Sequence, residues 1–420
     1  MRAGCPMTGY EPEPAQPYCP IDIAPLLLAI TEARTAGWGA GAKYAMAAME
    51  ALVCDADAGM DSAAAIAYAD GVYCLSAVLR GQDDEELGGG GSGSDEEGEH
   101  ELPAHVAASA HVVLAHITTL PECRDQFAEA DVYLELCAGC VAEGALDDQS
   151  VQMAASSLAN LCIEASETSE AVVEAGAAAG LTSLLLRWAG AEPDQRDAAE
   201  RTALWAAAAL SNLSQVGGDA IAALIEADAA RVIVAALGCG HATEAGRSIE
   251  QFLCGCLCNI ALADPHALVA AGGIETALGV MQESGTSRGK QAALQIISNL
   301  QQHSGEHEIV ESLLDAGAVD TLKDMRRSKS PATLRRSIET ALEELEPQPK
   351  AIMVKMKKVV PHKPKGKANK KKPNGSSSKP AEALLAARPQ QTQRRLPTPS
   401  RAHIWVVSQS HPQLCFTGCL

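Results

Sequence analysis

The chain has 420 residues, 47% hydrophobic and 20% charged, with 33 basic against 53 acidic side chains and a formal net charge of −20. That composition is foldable rather than disordered, and aromatics at only 3% argue against β-sandwiches and barrels and for helices packed through Ala and Leu. The length allows two or three domains at roughly 100 to 200 residues each, unless the fold grows linearly by stacking repeats.

Residues 1–39 read as an N-terminal extension. Their longest apolar run, Leu26 to Ile30, is far too short to cross a bilayer, and neither a signal peptide nor a transmembrane helix is expected. A cytosolic or nuclear protein is expected, which makes the 14 cysteines thiols rather than a disulfide framework. The glycines of Gly37 to Tyr44 lack the Gly-Lys-Ser/Thr ending that a phosphate cradle needs. Residues 40–81 form a candidate divergent repeat, marked by Ala69-Asp70-Gly71-Val72. Next comes an insert, 82–103, in which Gln82 to Glu101 holds nine acids, no bases and four consecutive glycines. Too little apolar surface is present there to fix a structure, so a disordered acidic insert is expected.

The informative region is 104–345. The only four asparagines before residue 351 share one motif, apolar-x-Asn-apolar: Leu158-Ala159-Asn160-Leu161, Leu210-Ser211-Asn212-Leu213, Leu257-Cys258-Asn259-Ile260 and Ile297-Ser298-Asn299-Leu300. They are spaced by 52, 47 and 40 residues. Each ends an Ala-rich helical segment and is followed by a small-residue break (Glu174-Ala175-Gly176, Glu226-Ala227-Asp228, Ala270-Ala271-Gly272, Asp315-Ala316-Gly317) and a second apolar helix. A weaker fifth copy has His116 in the Asn place, with Glu129-Ala130-Asp131 after it. Ser330-Pro331 and then Ala332 to Leu345 read as a polar closing helix. An Ala/Leu helix that is apolar nearly all round must be covered by its neighbours, so successive repeats stack.

Leu-x-Asn-Leu followed by Glu-Ala-Gly at this period resembles the armadillo repeat. The resemblance implies an all-α armadillo-type α-solenoid, a right-handed superhelix of about five repeats over 104–345. It also implies that Asn160, Asn212, Asn259 and Asn299 line a concave groove and pair with the backbone of an extended peptide. The alternative is that these amides tie down a neighbouring segment, because an amide left unpaired among apolar groups costs roughly 1 to 3 kcal/mol.

Positions 4, 7 and 11 before each Asn share its helical face. Seven before lie Met153, Trp205, Phe252 and Ala292; eleven before lie Gln149, Arg201, Ser248 and Arg288. Trp205 and Phe252 serve either as apolar pockets beside the ladder or as core, and Arg201 and Arg288 either reach carboxylates of a bound chain or are solvated. Four before lie Ser156, Ala208, Gly255 and Gln295. None is the Trp that importin-α-like adaptors use to clamp basic signals, although an acidic groove would still favour basic ligands. Cys254, Cys256 and Cys258 replace small residues of the preceding repeat rather than forming a metal site. Cys137-Ala138-Gly139-Cys140 has no second pair. His105, His111 and His116 lack a metalloprotease arrangement. No nucleophile with a paired base stands out, so neither an enzyme nor a cofactor is expected.

Charge then divides the chain: residues 1–350 carry net −33 and residues 351–420 net +13. Residues 346–420 read as a disordered basic tail in which Lys363, Lys365, Lys367, Lys370, Lys371 and Lys372 form a nuclear signal, a polyanion-binding run, or an intramolecular contact with the acidic body. The expected function is a non-catalytic scaffold holding a partner's extended or helical segment in its groove. The alternative is an adaptor whose tail binds nucleic acid, tubulin tails or anionic membrane. A chaperone-cofactor or nuclear-transport regulator rests on fold analogy alone.

Overall fold

A computed structural model of the chain describes residues 22–36, 40–55, 58–80, 103–141, 148–163, 167–240, 243–303, 305–328 and 331–345. The acidic insert, the tail lysines and the N-cap expected at Ser330 lie outside these residues. Among the described residues the regular structure is helical throughout. Helices α1 (Ala24–Ala36) and α2 (Ala40–Val53) open the stack. Six groups follow: α3 (Gly59–Tyr68), α4 (Gly71–Leu79), α5 (Ala104–Ile117); α6 (Arg124–Ala130), α7 (Tyr133–Val141), α8 (Gln149–Leu161); α9 (Glu167–Glu174), α10 (Ala177–Gly190), a short α11 (Pro193–Ala198), α12 (Glu200–Val216); α13 (Gly218–Glu226), α14 (Ala229–Leu237), α15 (Glu244–Ala263); α16 (Pro265–Ala270), α17 (Gly273–Glu283), α18 (Ser287–Gln301); and α19 (His307–Asp315), α20 (Ala318–Arg327), α21 (Ala332–Leu345). Each group is a short first helix, a second helix and a third, and the third is the longest or equal to the longest in every group.

The turn between first and second helix has the same cause in all six groups. One residue there sits in the left-handed region: Asp70 (φ 63°), Asp131 (φ 49°), Gly176 (φ 85°), Asp228 (φ 56°), Gly272 (φ 79°) and Gly317 (φ 78°). Gly takes that conformation without a Cβ clash and Asp tolerates it, which is why the sequence shows Gly or Asp at the break. The chain bends there by 83° between α3 and α4 and by 68° between α9 and α10. Second helices then run beside second helices and third beside third: α2, α5, α8, α12, α15, α18 and α21 pack in that order. The result is an all-α, armadillo-like solenoid with one apolar core running along it.

This order places two segments differently from the sequence reading. Helix α1 lies inside the stretch read as extension, yet packs on α2 and α4 and buries Ile23, Leu27 and Ile30. The candidate repeat at 40–81 is also divided differently: helices α3 and α4 complete a repeat with α5, which follows the acidic insert in sequence. The chemistry that closes this repeat onto the next is Arg80: Nε donates to Glu135 Oε1 at 2.6 Å, and Nη2 donates to the carbonyls of Ala130 and Asp131 at 2.5 and 2.6 Å, satisfying carbonyl groups at the end of α6.

Candidate functional site

The stacked third helices bring the ladder positions into line, with their donor ends turned inward. Asn160, Asn259 and Asn299 are buried and Asn212 half-buried. Every Nδ2 donates to the preceding third helix or the residue just after it: Asn160 to Thr118 Oγ1 (3.1 Å), Asn212 to Ala159 O (2.9 Å), Asn259 to Ser214 Oγ (2.9 Å) and Asn299 to Cys258 O (2.8 Å). Carbonyls only accept. Thr118 and Ser214 already donate to Ala115 O and Ser211 O, both at 2.7 Å, so they too must accept. The orientation of all four amides is thereby fixed, NH2 toward the previous repeat. Each amide thus spends one of its two N–H groups on tying successive repeats together, the second of the two roles open to the ladder. Asn299 Oδ1 is also taken, accepting from Gln295 Nε2 at 2.8 Å and Gln302 Nε2 at 3.4 Å. The Oδ1 atoms of Asn160, Asn212 and Asn259 remain as acceptors, none of them sealed from solvent.

His116, in the fifth ladder place, is buried, and its Nδ1 lies 2.9 Å from Val112 O one turn back. Burial holds its pKa below the usual imidazole value. Phe252 is buried in the core, and Trp205 packs half-buried against it. Arg201 and Arg288 are exposed at the starts of α12 and α18. Of the positions four before the ladder, Ser156, Ala208 and Gly255 are buried and Gln295 is half-buried.

Sequence reasoning passed over the glutamines. Positions 8 before and 3 after a ladder residue also fall within about 80° of it on a helix. Gln152, Gln251 and Gln291 stand eight before, and Gln215 and Gln302 three after, all at least partly exposed. With Gln149 and Gln295 they make this face rich in neutral amides. Acids are correspondingly scarce: α8, α12, α15 and α18 hold only Glu200, Glu244 and Glu250. Glu250 is buried against the start of α18, where Ser284 Oγ donates to its Oε1 at 2.5 Å and burial raises its carboxyl pKa. Glu200 accepts from Thr243 Oγ1. The negative charge of residues 1–350 therefore lies almost wholly outside these helices, and the expectation of an acidic groove suited to basic ligands does not hold for them.

Two other features carry less chemistry. Cys254, Cys256 and Cys258 are fully buried, burial raises their thiols (Cys256 to about 12), and Cys258 Sγ donates to Ala292 O at 3.2 Å. They fill helix contacts. Between α7 and α10 an open cleft of about 440 Å³ is lined by Leu134, Cys137, Val141, Ala179 and Ser183 among others.

No family model matches the chain, and no curated protein does. Among solved structures, the designed armadillo repeat protein YIII(Dq.V1)4CPAF in complex with the peptide (KR)4 is similar at 22% identity and a TM-score of 0.49, over 65% of this chain and 99% of that one. A second design, YIII(Dq)4CqI, is similar to the same extent. Computationally designed armadillo repeat proteins for modular peptide recognition are similar at 22% identity and a TM-score of 0.49, over 57% of this chain and 93% of theirs. The assignment of the fold rests on the helix order and the inter-repeat contacts described above.

Proposed function

We propose that the chain is a non-catalytic scaffold that holds an extended segment of a partner protein along the exposed face of its third helices. The observation that carries this reading is the amide stripe. Seven glutamines on the Asn face, five of them half-buried, are poor choices for a merely solvated surface, where charged residues dominate. Side-chain amides both donate and accept, so they match the alternating N–H and C=O groups of an extended main chain. The Oδ1 atoms of Asn160, Asn212 and Asn259 add acceptors at fixed intervals, and half-buried Trp205 offers an apolar shelf between them.

The test is affinity capture with the full chain beside a Gln152→Ala, Gln251→Ala variant, with melting temperature as the folding control. Partners held by the native chain and lost by a variant of unchanged melting temperature support the reading. An identical partner set for both overturns it.

A further inference from the structure

The edge of this face, where the third helices begin, carries arginines that helix-terminus electrostatics does not call for. Arg201 is the second residue of α12, Arg247 the fourth of α15 and Arg288 the second of α18. A helix N-terminus bears a partial positive charge and disfavours cations in its first turn, and acids are the usual occupants there. Arginines nevertheless stand there in three successive long helices, in α12 and α15 alongside an acid at the first position, Glu200 and Glu244. The starts of α12 and α15 are adjacent, since Thr243, the N-cap of α15, donates to Glu200, the first residue of α12. The start of α18 sits against α15, where a Cβ on Gly289 would lie 2.1 Å from Glu250 Oε1. Arg201 and Arg288, both exposed, thus hold the same place two repeats apart, eleven before the ladder residue, while Ser248 holds it in the repeat between and half-buried Arg247 stands one residue, about 100°, off that line.

We infer that this edge selects a partner segment carrying carboxylates six residues apart. The inference rests on the scaffold reading above and adds the ligand's charge and spacing. Packed helices lie about 8 to 10 Å apart, and an extended chain advances about 3.3 Å per residue, so one repeat corresponds to about three ligand residues. Arg201 and Arg288, two repeats apart, then meet carboxylates six residues apart, with the Arg247 repeat at the midpoint. Guanidinium forks match carboxylates bidentately, and the glutamines between them serve the ligand's main chain.

The experiment measures fluorescence anisotropy with the full chain in 0.15 M salt and a capped 13-residue peptide bearing Asp at every third position on a Ser/Thr/Val background. Versions with Ser or Lys at those positions are the comparison. The expected result is an affinity for the Asp peptide about tenfold above the Ser version, as two exposed ion pairs supply, abolished by Arg201→Ala with Arg288→Ala. Removing residues 82–101 and finding the Asp peptide bound more tightly, the Ser peptide unchanged, would show the chain's own acidic insert competing for the edge and would support the assignment. A preference for Asp that survives the arginine substitutions belongs to the basic tail and overturns it, as does a Lys peptide bound equally well. If Ser or Lys peptides bind and are lost on Gln152→Ala with Gln251→Ala, the scaffold reading stands while the acidic selectivity falls. If no peptide binds, both fall.

Discussion

Asn299 shows how much one amide can be asked to hold. It is 1% exposed, donates to Cys258 O and accepts from Gln295 and Gln302. Asn299→Ala therefore removes three hydrogen bonds, one of them a buried tie between repeats, and a loss of about 1–3 kcal/mol is expected in urea unfolding. Asn212→Ala, half-exposed with one bond, should lose less, and equal losses would show that burial does not set the scale. The phase of these asparagines was legible in the sequence, as were the two roles open to them; the partner each amide takes was not. Which end of an amide is used depends on residues forty to fifty positions away, such as Thr118 and Ser214, each two places after the preceding ladder position. That hydroxyl was the available signal. His111 adds a pH effect. Its ring packs against Gly139, its buried Nδ1 has no hydrogen-bond partner, and burial lowers its pKa to about 4 against a weak opposing influence from Asp148. The unfolded ring takes a proton near pH 6.5 and the folded ring resists it, so stability is full above that value and is lost as pH falls toward 4. The loss is on the order of 3 kcal/mol. His111→Gln should flatten this limb of the stability profile, and an unchanged limb would count against the buried ring as its source.

At the scale of the helix, the six left-handed turns make the repeat. Gly176 has φ 85° and no atom within 4 Å of a built Cβ, so Gly176→Ala isolates backbone strain and should cost about 1–2 kcal/mol. Gly279 lies within α17, also with open space around it and no left-handed angle. There the same substitution should stabilise by about 0.5–1 kcal/mol. Paired thermal melts check both signs, and two shifts in the same direction would refute the argument. These turns were readable because their chemistry is local: Gly or Asp at the break is required by one dihedral. The same locality explains what the sequence reading missed. Helix α1 lacks the Asn motif that marks the later repeats, and its place is set by contacts with α2 and with α4, more than thirty residues on. The charge of the third-helix face was hidden for a related reason. Averaged over residues 1–350 the chain is strongly acidic, but the long helices that carry the glutamines hold only three of those acids.

Over the whole molecule, charge separates along the chain, with net −33 before residue 351 and +13 after it. A body of that charge repels itself, and the repulsion opposes compactness most strongly where salt does not screen it. We propose that the basic tail offsets part of this repulsion, since 70 residues remain tethered to the body at an effective concentration no untethered polycation matches at equal dose. Removing residues 351–420 leaves the full −33 uncompensated. The truncated chain should then melt several degrees below the full chain at 0.01 M salt, where the screening length is about 30 Å. The gap should close at 0.15 M, where it is about 8 Å. A tail committed to an external polyanion predicts something different: nearly equal melting temperatures at both salts for the isolated proteins, and a tail-dependent shift only when a polyanion such as heparin is added. Differential scanning calorimetry at the two ionic strengths, with and without heparin, separates the two. An equal melting temperature throughout would mean that the tail neither relieves the body's charge nor couples it to a polyanion.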